Sequence, residues 1–208
     1  MIVYKVGGSN PPPLVSGATL GQQHLEALLE ILLDKALTYG KNEIVPVEPV
    51  VLSFSGIESA TASYVKALLL PLLDDLTDVE DFKGKFRPNT FVMPFVADLT
   101  DELRGELWLV MKDQGSVYLE AQDMGTCHPI SARIIGELDG FLKKTISIVV
   151  AEEQCTATDL YAKYPSEGIS TTGWNNRLAD LYELRVIDRR KCGRQWIYSP
   201  VVKEVVYG

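Results

Sequence analysis

Apolar residues recur along this chain with two different periods, and the switches between them mark out its elements. Met1–Val6 alternates and predicts a first strand; Gly7–Pro13, with two glycines and three prolines, predicts a loop. From Leu20 to Tyr39 the period becomes helical. Leu25, Leu28, Leu29, Leu32, Leu33 and Leu37 form one broad apolar face, and Gly40 supplies a stop. After a polar connection, Pro49–Phe54 is a short apolar run of the kind that makes a buried central strand. Thr61 to Leu76 returns to helical spacing with Val65, Leu68, Leu69, Leu72 and Leu73 inward, and Pro71 predicts a kink or an early stop. Thr77–Asn89 is a charged excursion. Thr90–Val96 predicts a strand, Asp101–Gln114 a helix, and Ser116–Ala121 another strand. Gln122–Pro129 reads as a linker, and Ile130–Val150 as a helical stretch that Gly136 and Gly140 interrupt. The alternation of strand and helix predicts an α/β architecture in which helices pack on a mixed sheet.

The last third has its own grammar. Thr156 is placed to cap a short helix, with Asp159 in its first turn. Pro165 ends that helix, Ser166-Glu167-Gly168 turns the chain, and Ser170, Thr171 and Thr172 offer caps for a second helix to about Leu184. Trp174, Leu178, Leu181 and Leu184 make its apolar stripe. Thr172, Asn175, Asn176, Ala179 and Glu183 fall on the other side, and Asn is a side chain that pairs bidentately with adenine. Arg185–Arg190 and Arg194–Ser199 read as a hairpin joined through Lys191-Cys192-Gly193. Its tip carries Arg189, Arg190, Lys191 and Arg194.

Arg177-Leu178, Leu181–Leu184, Val186-Ile187, Arg189-Arg190, Gly193-Arg194, Tyr198 and Pro200 together resemble the pattern of a winged helix-turn-helix domain of the small prokaryotic regulator type. The resemblance implies double-stranded DNA as partner and a homodimer that reads two half-sites. Thr171, Thr172, Asn175 and Asn176 would face the major groove, and Arg189, Arg190, Lys191 and Arg194 would hold phosphate or the minor groove. Arg177 either joins them or pairs with Asp180, three residues on. Winged helices also serve as protein contacts, so an adaptor that binds no DNA is the alternative. Thr19–Leu37 followed by Val50–Leu73 resembles a STAS-like domain of an uncharacterised prokaryotic subtype. That implies a domain that senses a signal or docks a protein partner. The acceptor serine of phosphorylated members is replaced by Ala62, which leaves Thr61 and Ser63 as candidate phosphoacceptors; helix capping is the plainer reading of both. The expected organisation is a STAS-like domain over 1–121, a linker or bridging helix over 122–138, and the winged domain over 139–208.

Composition narrows the choice. The net charge is −8, carried by residues 1–145 with 12 Lys/Arg against 20 Asp/Glu, while 146–208 has 8 of each. Any DNA contact must therefore be focal, since neutralising phosphate supplies much of such affinity. The three scattered cysteines imply no disulfide framework, and Cys127-His128 lacks metal-ligand spacing. No GxSxG, HExxH or phosphate-loop motif occurs, and no Ser-His-Asp arrangement suggests itself between two distant histidines. The expectation is a non-enzyme without cofactor or metal. No apolar run is long enough to span a membrane, and Met1–Gly8 lacks the basic-then-apolar order of a signal, which predicts the cytoplasm.

Overall fold

The computed structural model describes residues 1–37, 47–73 and 92–207. In chain order these form β1 (Ile2–Lys5), β2 (Leu14–Val15), α1 (Ala18–Leu37), β3 (Glu48–Ser53), β4 (Ser59–Ala60), α2 (Ala62–Leu73), β5 (Val92–Ala97) and α3 (Asp101–Asp113). Then follow β6 (Val117–Met124), β7 (Pro129–Gly136), α4 (Gly140–Glu152), α5 (Ala157–Lys163), α6 (Thr171–Glu183), β8 (Ile187–Cys192), β9 (Gln195–Pro200) and β10 (Glu204–Tyr207). The Gly40 stop, the polar connection through 41–46 and the charged excursion over 77–89 lie outside the described residues. No described helix is long and apolar enough to cross a membrane.

The architecture is α/β with a mixed six-stranded sheet, ordered β1-β3-β5-β6-β7-β10. The first four strands run parallel, β7 is antiparallel to β6, and β10 is parallel to β7. Parallel crossovers are right-handed, so stepping from β1 to β6 in one direction places α1, α2 and α3 on one face. Val50, Leu52, Val92, Val96, Tyr118 and Ile135 meet those helices there. The β7-to-β10 crossover steps the same way along strands of opposite direction. Handedness then sends α4 to β9 onto the other face, where Val51, Met93, Phe95, Val117, Leu119, Ala132 and Ile134 share a core with Ile146, Val149, Trp174 and Leu178. Period-two alternation thus serves both layers, and β3 and β5 are buried on both sides.

Two sequence expectations need correction here. Gln122–Pro129 is no linker and the front of Ile130–Val150 is no helix: residues 117–136 are the β6–β7 hairpin. Ile130, Ala132 and Ile134 alternate with Ser131 and Arg133, a period of two that the apolar density of the following helix masks. Gly136 ends the strand at φ 113°, where a Cβ would stand 2.6 Å from the Ser116 carbonyl oxygen, and the helix begins only after the Asp139 cap. β10, which no sequence signal marked, returns the chain to the sheet edge. At the base, Arg185 Nε donates to the Leu73 carbonyl oxygen at 3.0 Å, a cation at the C-terminal end of α2.

Candidate nucleic-acid interface

The helix–turn–helix is built as its caps dictate. Thr156 and Asp159 form a reciprocal capping box at the start of α5. A single 3-10 turn, Pro165–Glu167, and Gly168 at φ 65° reverse the chain, and Ser170 caps α6 by accepting from Gly173 N at 3.1 Å. Trp174, Leu178 and Leu181 are buried against the core, which leaves Thr171, Thr172, Asn175 and Asn176 exposed. The first two turns of α6 therefore offer hydroxyls, amides and the positive end of the helix dipole together. Toward its C-terminal end the exposed face turns acidic, at Asp180 and Glu183.

The hairpin closes with the two-residue turn Gly193-Arg194, since Cys192 pairs with Gln195 and Gly193 takes φ 61°. Register decides which cations remain available. The Arg189 guanidinium lies 3.8 Å from the centre of the Tyr182 ring and 4.5 Å from that of Trp196, held between α6 and β9. Arg190 points the other way and donates to Gln154 Oε1 at 3.2 Å. Arg177 stacks on Phe141 of α4 at 4.9 Å and on Trp174 at 5.8 Å, so it braces the two helices against each other. Lys191 and Arg194 remain exposed at the tip, the Lys191 ammonium 5.7 Å from the centre of the Trp196 ring. Trp174 and Tyr198 are core residues, each 1% exposed. Burial raises the Tyr198 pKa, partly offset by the neighbouring Arg189. Behind the hairpin, Cys155 bonds through its backbone to Tyr198, and burial beside Glu152 and Asp159 pushes its thiol up to about 12.

One open concavity of about 300 Å³ joins these parts, lined by Thr156, Ala157 and Thr158 of the α5 start, Thr171, Thr172 and Asn175 of α6, and Arg194, Gln195 and Trp196 of the hairpin. Four sequence candidates thus converge: Thr171, Thr172, Asn175 and Arg194. Asn176 and Lys191 lie exposed on the same two elements outside its lining, while Arg177, Arg189 and Arg190 are turned to internal partners. Thr158 and Gln195 join the site without having been singled out, while the sequence marks Thr156 as a cap and Trp196 as a core residue before a DNA contact. The capping box at Thr156 was the signal available for the α5 residues; the hairpin register was the signal for Gln195 and Trp196.

Thr61 and Ser63 are placed elsewhere, at the start of α2 in the opposite layer. Thr61 Oγ1 accepts from Gly17 N at 3.1 Å and lies 3.2 Å from Ser63 Oγ, so Thr61 joins the beginnings of α1 and α2. Among the described residues no group of three or more His, Cys, Asp or Glu is placed to hold a metal ion. Comparison of the chain with protein-family models, with curated proteins and with solved structures returned no match.

Proposed function

We propose that this chain is a DNA-binding regulator. Its α4–β9 region acts as a winged helix-turn-helix, and its β1–β6 region acts as a STAS-like platform that senses a signal or docks a protein partner. The observation that carries the reading is the shared concavity of α5, α6 and the hairpin, in which Thr171, Thr172, Asn175 and Arg194 converge. In this reading the N-terminal half of α6 enters the major groove. Asn175 and Asn176 read bases, Thr171 and Thr172 hold a phosphate at the helix start, and Lys191 and Arg194 contact the flanking backbone. Arg189 contributes indirectly by fixing the hairpin to α6. The protein acts as a cytoplasmic homodimer, each copy reading one half-site. It uses no catalytic machinery of its own.

The test is selection from a random duplex library, followed by fluorescence anisotropy on the enriched site. The reading expects a palindromic or pseudo-palindromic site whose binding is lost in Asn175→Ala/Arg194→Ala. No binding at low salt sinks it. One observation favours a second reading, an adaptor that binds protein instead: with the net charge at −8, three of the basic candidates are spent on internal contacts. Failure to bind any duplex, together with capture of a partner through the same α6 surface, would select it.

A further inference from the structure

A second concavity, of about 500 Å³, lies where the hairpin region rejoins the sheet. Its lining comes from three places in the chain: His128 just before β7, Val150 and Glu153 at the end of α4, and the Pro200–Lys203 connection from β9 to β10. The volume falls within the roughly 300–1,000 Å³ usual for small-molecule sites. Val202 is buried, Val150, Pro200 and Val201 are half-buried, and together they make an apolar floor. The rim is polar and exposed, with the charged Glu153 on the helix side and the charged Lys203 beside His128 on the strand side. The Lys203 backbone N–H donates to the Ile130 carbonyl oxygen at 2.8 Å, which fixes the connection against β7.

Glu153 breaks two local rules, and among the described residues no partner offsets them. It stands at the C-terminal end of α4, where the helix dipole disfavours an anion, and its φ is 59°. Its neighbour Glu152 is compensated by Lys163 at 2.6 Å and by the Tyr164 hydroxyl. Among the described residues no ion pair or side-chain hydrogen bond engages Glu153 or Lys203. His128 turns Nδ1 to the Pro129 carbonyl oxygen at 2.9 Å, which leaves Nε2 for a ligand.

We propose that this concavity binds a small zwitterion with an apolar body, of the free amino-acid kind. Its ammonium faces Glu153 and the negative end of α4, its carboxylate faces Lys203, and its aliphatic part covers the valine floor. Charge favours a ligand of both signs. A lone anion answers only Lys203 and a lone cation only Glu153, whereas a zwitterion answers both. A metal ion would find only one imidazole and one carboxylate. Because Pro200–Lys203 runs directly from β9 into β10, a ligand here touches the hairpin region and the sheet at once, which suits an effector of the regulator.

The experiment uses the full chain without DNA, so its failure leaves the DNA reading standing. Valine, leucine, isoleucine, methionine and phenylalanine are titrated to millimolar concentration by calorimetry. The best of them is then compared with its amide, which lacks the carboxylate, and with its deaminated acid, which lacks the ammonium. The proposal expects saturable binding of at least one amino acid, weakened about ten-fold or more by either deletion and by Glu153→Gln or Lys203→Gln. Both side chains are exposed, so both variants fold. The absence of saturable binding across the set overturns the proposal, and so does binding indifferent to both substitutions.

Discussion

Arg189, Arg190, Lys191 and Arg194 look alike as a basic run, yet the fold gives them different work. Arg189 is sandwiched by Tyr182 and Trp196, and such contacts contribute about 0.5–2 kcal/mol each according to desolvation. Arg189→Ala should therefore lower stability by about 1–2 kcal/mol in urea unfolding, Arg194→Ala should stay within about 0.5 kcal/mol of the parent, and Lys191→Ala, which loses one longer contact to Trp196 at 5.7 Å, should fall between them. Equal losses for all three would mean that the stacked geometry is wrong. Asp188, beside Arg189, gives a pH signature. Burial raises its carboxyl pKa, more than the Arg189 N–H and the Arg185 charge pull it down. The folded state thus holds that proton more tightly than the unfolded chain does. Its penalty is absent below the ordinary value of 3.8, grows as pH rises and is complete above the raised pKa. Asp188→Asn keeps an oxygen for the Arg189 N–H at 2.7 Å. Thermal melts should show it more stable than the parent at neutral pH, with the gap closing in acid.

At the scale of elements, glycine separates helices that merely contain it from helices that need it. Gly21 of α1 sits against α2, where a Cβ would stand 2.6 Å from the Tyr64 carbonyl oxygen, whereas Gly105 of α3 faces open space. Alanine is the better helix former by about 1 kcal/mol, so Gly105→Ala should stabilise by about that much. Gly21→Ala should instead destabilise by about 1–2 kcal/mol, as overpacking outweighs propensity. Opposite signs in parallel melts are the check. Helices with caps and one apolar stripe were legible in the sequence: Thr156 and Asp159 do cap α5, and Ser170, one of the three caps offered, starts α6. β7 was hidden because Ile134 and Ile135 belong to a strand yet extend the 3.6 period of α4 backwards. β10 was hidden because a four-residue edge strand is defined by its partner, not by its own pattern. Of the candidate interface, residue types on α6 were readable. Which cations are spent internally was not, since that follows from the β8–β9 register and from the approach of Tyr182 and Phe141.

For the whole molecule, the decisive fact is that both layers share one sheet, with the α4–β9 region carried on the face opposite α1–α3. α6 and the hairpin tip are thus carried on an otherwise acidic body, so DNA would be met through a few charges rather than a broad basic field. That makes salt dependence the most direct measurement: affinity for a selected duplex against salt, for the parent and for Lys191→Ala/Arg194→Ala. If these two side chains hold phosphates, the double variant loses affinity and its logarithmic salt slope shrinks by about 2, roughly one for each cation removed. An unchanged slope and affinity, or no duplex binding at low salt by the parent, would contradict the account.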